Sequence, residues 1–152
     1  MEAVLIAVAA AAILFVGIAL FQRVAPHQLV RAYYWRFVNP LFRLLAGRVP
    51  GLVLLETTGR RTGNNHEVPV AGRLDGSVVW IVAGHAARAD YVHNIKANPR
   101  VRVRVGGRWR EGTAALDLDD DPRRRALQVN PINGSFIRMA TSDLVSVRVD
   151  LD

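Results

Sequence analysis

The hydrophobic positions of this chain form three successive patterns, and the first is an unbroken apolar run. From Ala3 to Phe21, 19 consecutive residues carry no charge and no strongly hydrogen-bonding side chain. At about 1.5 Å per residue, a helix of that length covers roughly 28 Å, close to the ~30 Å hydrocarbon core of a bilayer. The run predicts a transmembrane helix, with a buried core helix as the alternative.

Charges beside this run predict its orientation. The chain begins Met1-Glu2 and has no basic residue before the run, unlike a cleaved secretory signal. Five arginines follow the run instead: Arg23, Arg31, Arg36, Arg43 and Arg48. By the positive-inside rule, we expect a single-pass cell-membrane protein with residues 1–22 as the anchor and the C-terminal domain in the cytoplasm.

The second pattern is amphipathic and occupies Ala25 to Gly47. Apolar residues such as Leu29, Tyr33 and Phe37 recur at the spacing of one helical face. Asn39-Pro40 predicts that the helix breaks and restarts there. We expect residues 23–50 to form a juxtamembrane segment and linker, whose apolar face either lies among lipid headgroups or packs on the following domain.

The third pattern, from residue 51, has β periodicity with short helices between strands. Two helices are expected, Tyr91 to Ala97 with Asp90 as its cap, and a second opening at Asp119 to Asp121 and ending near Val129. The predicted strands are Gly51–Thr58, His66–Leu74, Ser77–Ala83, Arg100–Val105, Arg108–Leu118 and Asp143–Leu151. Residues 51–152 are therefore predicted to be a mainly β (α+β) domain, a small closed or partly closed antiparallel barrel.

The hairpin turn at Gly106-Gly107 leaves the register of its strands open. One register places Arg104 opposite Trp109, with Arg100, Arg102 and Arg104 in a basic stripe on one face; a shift by one residue places Val105 there instead. Such a stripe suits anionic lipid better than nucleic acid, because few aromatic residues accompany it.

Composition excludes several classes of protein. The chain has no cysteine, which excludes disulfide scaffolds, cysteine-ligated metal sites and thiol enzymes. The formal net charge is +7, from 20 basic and 13 acidic residues, and Lys96 is the only lysine. The four histidines share no metal-ligand spacing, and the acidic run Asp117 to Asp121 reads as a helix start. We expect no metal site.

The segment Thr57 to Gly63 (TTGRRTG) carries the most chemistry. It joins two strands and combines permissive glycines, two guanidinium groups and three hydroxyls within seven residues. Glycines let backbone N–H groups approach an oxyanion, and arginine binds phosphate through paired N–H donors. The segment predicts a phosphate-binding loop, with a polar turn bearing solvated arginines as the alternative.

Together with several other blocks, this segment resembles the deazaflavin-dependent nitroreductase family. The resemblance covers roughly residues 38–151. Its blocks are VNPLFRLLAG (38–47), LLETTGRRTG (54–63), VPV (68–70), DG (75–76), YVHNIKANPRVRVRVGG (91–107) and the terminal valine-rich strand. It implies a split β-barrel that binds coenzyme F420, or in relatives FMN or FAD, and transfers hydride to a substrate.

Site residues follow from the resemblance by position. Tyr91 or His85 is expected to donate the proton that accompanies hydride transfer. The implied cofactor contacts are Gly59, Arg60, Arg61, Thr62, Gly63, His66, Val68, Pro69, Ala83, Gly84, Tyr91 and Asn94. Nitroreducing members of the family have hydroxyl side chains where this chain has Ala71, Gly84 and the stretch Asn133 to Phe136.

These observations favour a membrane-anchored, deazaflavin-dependent oxidoreductase. Its acceptor is expected to be a small or lipid-soluble organic molecule, nitro compounds and quinones included, and barrels of this kind are often homodimers. The alternative is a non-catalytic barrel that binds a cofactor or anionic lipid at the membrane surface. No nucleic-acid partner is expected.

Overall fold

The computed structural model describes residues 13, 16–18, 20–21, 24–33, 36, 39–140 and 143–152. Most of the predicted transmembrane run, including residues 3–12, lies outside the described residues. Within the described part of the chain, no helix is both long and apolar enough to cross a membrane.

In the described part of the chain just before the barrel lie two short helices, α1 at His27–Tyr33 and α2 at Asn39–Leu45. The start of α2 at Asn39 agrees with the restart predicted from Asn39-Pro40. Arg43 of α2 forms an ion pair of 3.1 Å with Glu67, and the Arg104 guanidinium donates to the main-chain oxygen of Ala46 at 2.7 Å. These bonds hold α2 on the following domain, as one reading of the amphipathic segment predicts; contact with lipid headgroups stays a prediction.

Six antiparallel strands form the domain, as expected. They are β1 Leu52–Thr58, β2 Asn65–Asp75, β3 Val78–Gly84, β4 Arg100–Val105, β5 Arg108–Asp117 and β6 Leu144–Leu151. Each pairs with two neighbours in the order β1-β2-β3-β6-β5-β4, and β4 pairs with β1 to close the barrel. The predicted antiparallel barrel is confirmed in its closed form, in which each strand pairs on both sides over at least part of its length.

The barrel interior is filled by β-branched and leucine side chains from alternate strand positions. Helix α3, Asp90–Ala97, contributes Val92 and Ile95 to the same buried cluster. The strand residues with at most 1% exposure in that cluster are Val53, Leu55, Val79, Ile81, Ala83, Val103, Val147 and Val149. Because α3 packs into the interior at one end, its polar residues are brought to the end of strand β1.

A second layer lies outside the barrel: α4 at Pro122–Val129 packs on β3, and α5 at Pro131–Ala140 packs on α4. Helix α4 begins at the end of the predicted stretch Asp119 to Asp121, and Asp121 caps it by accepting from the main-chain N–H of Arg123 at 2.9 Å. Helix α5 is not predicted by the sequence pattern. A Cβ added at Gly134 would collide with the carbonyl oxygen of Ala126, so the close contact between the two helices requires glycine there.

The β4–β5 hairpin adopts the register with Arg104 opposite Trp109 and Arg102 opposite Glu111. Gly106 and Gly107 have φ of 57° and 78°, the left-handed values of a two-residue turn whose twist suits a hairpin. The guanidinium carbons of Arg102 and Arg104 lie 5.0 and 5.8 Å from the centre of the Trp109 ring. The structure thereby decides between the two registers that the sequence left open.

Candidate active site

The loop between β1 and β2, Gly59 to Gly63, is a tight turn. The N–H of Gly59 donates to the oxygen of Asn64, and that of Gly63 donates to the oxygen of Gly59, each at 2.8 Å. Gly63 has φ of 71°, and a Cβ at Gly59 would lie 2.8 Å from Nε2 of His66 and 3.0 Å from Oγ1 of Thr62. The two glycines therefore allow a bend that other residues would strain.

This loop borders a cavity of about 430 Å³ at one end of the barrel. Strands β1 and β2 supply one wall, because Thr57, His66 and Val68 share the interior face with the buried Leu55. Helix α3 supplies the opposite wall. The cavity is lined by Thr57, Gly59, Arg60, Arg61, Thr62, His66, Val68, Asp90, Tyr91 and Asn94. The arrangement combines a cationic, glycine-rich rim with a partly apolar interior.

The two arginines of the loop have different environments. The Arg60 guanidinium donates to Oδ1 of Asp90 and to Oδ1 of Asn94, each at 3.2 Å, so it ties the loop to α3. Arg61 is exposed and makes no ion pair or hydrogen bond with any described residue. Arg61 is therefore the loop cation whose donors are available to an anionic ligand.

Tyr91 forms part of the α3 wall and packs against the barrel core. Burial raises the pKa of its hydroxyl well above the ordinary value, because the phenolate would be poorly solvated there. The hydroxyl makes no hydrogen bond with a described residue. Tyr91 thus presents a neutral phenol, a potential donor, beside the cavity.

Seven further residues implied by the resemblance line the cavity with Tyr91: Gly59, Arg60, Arg61, Thr62, His66, Val68 and Asn94. Five do not. Gly63 and Pro69 lie elsewhere on the loop and β2, while Ala83 is buried in the core and Gly84 pairs with Leu144. His85 is exposed after β3 with φ of 55°. The roles proposed for these five residues stay predictions.

Thr57 and Asp90 line the cavity but are not among the contacts that the resemblance implies. The predicted cap role of Asp90 is wrong, because Ala89 occupies the N-cap position and no side chain caps the helix. Asp90 instead is the first residue of α3, and its carboxylate accepts from Arg60. A sequence pattern cannot separate these roles, because Arg60 and Asp90 lie 30 residues apart.

Two of the places where nitroreducing relatives are expected to have tyrosines lie away from the cavity in this chain. Ala71 packs in the outer layer with Val82 and Trp80 under α4. The stretch Asn133 to Phe136 lies in α5, which packs on α4. Neither lines the cavity, so the absence of tyrosines at these positions does not alter its walls.

The arginines of β4 form a stripe on one face, but other residues bind them. Arg100 pairs with Glu111 and Asp152 at 3.1 and 2.8 Å, and Arg102 pairs with Glu56 at 3.2 Å. Arg104 is bound to the carbonyl oxygen of Ala46. These internal partners weaken the argument that the stripe binds a polyanion.

No group of three or more potential metal ligands occurs among the described residues.

A family described as F420H(2)-dependent quinone reductase matches residues 29–152, most of the chain. The chain belongs to this family. It is therefore a deazaflavin-dependent oxidoreductase, and its cofactor is coenzyme F420.

Solved structures with the same fold have low sequence identity. An F420-H2 dependent reductase, FDR-A, is 23% identical over 65% of this chain and 93% of its own length, with a TM-score of 0.52. The haem storage protein HutZ of Vibrio cholerae is 14% identical over 74% and 87%, with a TM-score of 0.52. A chain described as a domain-swapped dimer is 21% identical over 84% and 100%, with a TM-score of 0.51. A search of curated proteins found no match.

The residues around the cavity fit a deazaflavin with a phosphate and an acidic tail. Gly59 leaves a cradle that a Cβ would fill, and Arg61 offers guanidinium donors at the rim. Val68 and Tyr91 offer apolar surface to a planar ring. The loop thus offers hydrogen-bond donors for the anionic groups of the cofactor, and the cavity wall offers apolar surface for its ring.

Proposed function

We propose that this protein transfers hydride from reduced F420 to a quinone or similar lipid-soluble acceptor at the membrane surface. One observation carries the assignment of the site: the cavity at the end of the barrel joins the Gly59–Gly63 loop to an apolar wall containing Tyr91. The family supports the cofactor and the class of reaction.

In this proposal, the loop binds the anionic part of the cofactor. Arg61 and Thr62 would hold the phosphate and acidic tail, with the backbone of Gly59 close to them and His66 behind the loop. Arg60 would hold the loop in place through its bonds to α3 and would not bind the cofactor directly, since its guanidinium already donates to two acceptors. Val68 and Tyr91 would border the ring, where they exclude water.

Reduction of a quinone to a quinol needs one hydride and one proton. Reduced F420 supplies the hydride when bound. The Tyr91 hydroxyl keeps its proton across the range in which enzymes work, because its pKa is raised, and so it would act as a hydrogen-bond or proton donor at the acceptor. His85 is the alternative donor; it is exposed and does not line the cavity.

The proposed membrane anchor is supported by the apolar run in the sequence and by the few described residues within it. Ile13 and Leu20 are helical, and 73% and 56% of their surfaces are exposed. Exposed apolar side chains of this kind gain from burial in lipid. An anchor would keep a cytoplasmic barrel beside acceptors dissolved in the bilayer, which favours a quinone over a soluble acceptor.

A homodimer is a further proposal. It is supported by the family resemblance and by the solved chain that is described as a domain-swapped dimer. Sedimentation of the detergent-solubilised protein at several concentrations would distinguish a dimer from a monomer.

The decisive test is titration of full-length protein in detergent with F420, FMN and FAD, followed by cofactor fluorescence. We expect saturable binding, tightest for F420, and faster turnover of the reduced form with a quinone than with a nitro compound. Absence of saturable binding for all three would refute the assignment of the cavity and favour a lipid-binding barrel. Alkaline carbonate extraction of membranes should leave the protein in the pellet, and its release would refute the anchor.

A further inference from the structure

Thr57 and Asn94 are buried polar residues at the inner end of the cavity. Thr57 ends the interior face of β1 and is 1% exposed, and Asn94, on α3, is 4% exposed. Nδ2 of Asn94 donates to Oγ1 of Thr57 at 3.1 Å. Since burial of an unpaired polar group is costly, this bond constrains both side chains.

Arg60 determines the orientation of the Asn94 amide. Oδ1 of Asn94 accepts from the main-chain N–H of Arg60 and from its Nη1, each at 3.2 Å. Both of these Arg60 groups are donors only, so an amide turned by 180° would set its NH₂ against two other donors. The amide nitrogen must therefore face Thr57.

The bond from Asn94 leaves the Thr57 hydroxyl with its own hydrogen to donate. That hydrogen has no acceptor among the described residues. Thr57 lines the cavity, so an acceptor can reach it from that side. Thr57 also borders a second cavity, beside Thr58, but its side chain lies on the interior face of β1, with His66 and Val68 of the first cavity.

We propose that Thr57 is a binding residue whose hydroxyl donates to a carbonyl oxygen or ring nitrogen of the molecule in the cavity, and that Asn94 and Arg60 are positioning residues that direct it. The inference rests on the proposed function, because it takes the cavity as the F420 site. The acceptor atom belongs either to the deazaflavin or to the carbonyl group of a quinone, and the two sources give different kinetic results.

The first test compares variants of neighbouring threonines. Thr57→Val removes the donor at nearly constant shape, and we expect either a tenfold weaker Kd for F420 or a tenfold higher KM for a soluble quinone. Thr57→Ser retains the hydroxyl and should recover most of the loss. Thr58→Val is the matched control: it makes the same change on the opposite face of β1, at a residue that does not line the proposed F420 cavity.

A change in Kd assigns the acceptor atom to the cofactor, and a change in KM alone assigns it to the quinone; both support the proposal. Equal Kd and KM in Thr57→Val and wild type would overturn it while the proposed function stands. Failure of the wild type to bind F420 would overturn both.

The second test reverses the direction of the hydroxyl. Asn94→Asp replaces the donor facing Thr57 with an acceptor, so the Thr57 hydroxyl would turn to the new carboxylate, whose charge lies beside Arg60. We expect Asn94→Asp to raise the Kd for F420 or the KM for the quinone about as much as Thr57→Val does. Adding Asn94→Asp to Thr57→Val should raise the same constant by a smaller factor. Equal losses in both backgrounds would overturn the positioning role.

Thr57→Val leaves Nδ2 of Asn94 without its acceptor and is expected to lower thermal stability. Thermal melts of each variant accompany the titrations. Asn94→Asp keeps a partner for each of these buried groups; where Thr57→Val does not fold, a higher Kd or KM of Asn94→Asp than of wild type supports the inference, and equal values overturn it.

Discussion

Replacing the two loop arginines one at a time separates a structural contact from a ligand contact. Arg60 is 29% exposed and spans from the loop to α3, whereas Arg61 is exposed without a described partner. We expect Arg60→Ala to lower the free energy of unfolding and Arg61→Ala to leave it within about 0.5 kcal/mol.

The magnitude for Arg60→Ala follows from its two partners. Asp90 is 74% exposed, so that ion pair contributes about 0–1 kcal/mol. Asn94 is buried, but it keeps the main-chain N–H of Arg60 as a donor after the substitution, so its acceptor is not left unpaired. The loss of the guanidinium bond therefore adds only about 1 kcal/mol, for a total of about 1–2 kcal/mol.

The two substitutions should affect F420 affinity in the opposite order, with the larger loss for Arg61→Ala. A charge-assisted bond from Arg61 to the cofactor phosphate is worth roughly 1.5–3 kcal/mol, so Arg61→Ala should weaken F420 binding by tenfold or more. Arg60→Ala should weaken it less, through the shape of the loop, and the double substitution should cost at least tenfold. Arg108→Ala, on the exposed β4–β5 hairpin, removes the same charge away from the cavity and serves as the control.

The assays are urea unfolding for stability and fluorescence titration with F420 for affinity. Two results would refute the reasoning. One is an Arg61→Ala variant as destabilised as Arg60→Ala, which would mean that Arg61 has a structural partner. The other is an Arg60→Ala variant that loses affinity at wild-type stability, which would make Arg60 a direct ligand.

Three other substitutions test separate parts of the structure. Gly134→Ala should destabilise the protein by about 1–3 kcal/mol in urea unfolding, despite the higher helix propensity of alanine, because its Cβ would collide with the Ala126 carbonyl. The bond from Arg125 holds the pKa of Asp120 below its ordinary value of 3.8. The carboxylate therefore stabilises the fold above about pH 3.8, and this stabilisation is lost as the pH falls further. Asp120→Asn should make the free energy of unfolding depend less on pH in that acidic range. Tyr91→Phe should slow quinone turnover, and the wild-type pH profile is expected to show no loss of activity from Tyr91 ionisation near the ordinary tyrosine pKa of 10.0, because burial raises the pKa of its hydroxyl.

Each of these has a contrary outcome. Unchanged or increased stability of Gly134→Ala would mean that α4 and α5 do not pack as closely as described. An acid unfolding curve unchanged by Asp120→Asn would place the acid-sensitive group elsewhere. Full activity of Tyr91→Phe would remove Tyr91 as the proton donor and leave His85 to be tested.

The barrel could be predicted from the sequence because its signals are local. Alternating valines mark β4 and β6, Asp75-Gly76 marks the turn between β2 and β3, and Asp121 marks the start of α4. These signals depend on side-chain alternation and turn conformations within a few residues. Helix α5 was missed because its interior Gly134 is unfavourable in an isolated helix and is needed only for the contact with α4.

The loop that we propose to bind phosphate could also be recognised from local sequence, since glycine, arginine and threonine lie within seven residues. The different environments of Arg60 and Arg61 could not be predicted from local sequence. It depends on Asp90 and Asn94, which lie 30 and 34 residues further along the chain and reach the loop only because Val92 and Ile95 pack α3 into the barrel.

The sequence by itself thus determined an apolar N-terminal run, six strands, and a cationic glycine loop that suits phosphate. The tertiary structure decided the hairpin register, the pairing of the β4 arginines, and the network from Arg60 through Asn94 to Thr57. The physical reason is the range of the interactions. Periodicity and turn chemistry act between near neighbours in the chain, whereas hydrogen-bond partners are chosen when distant segments pack together.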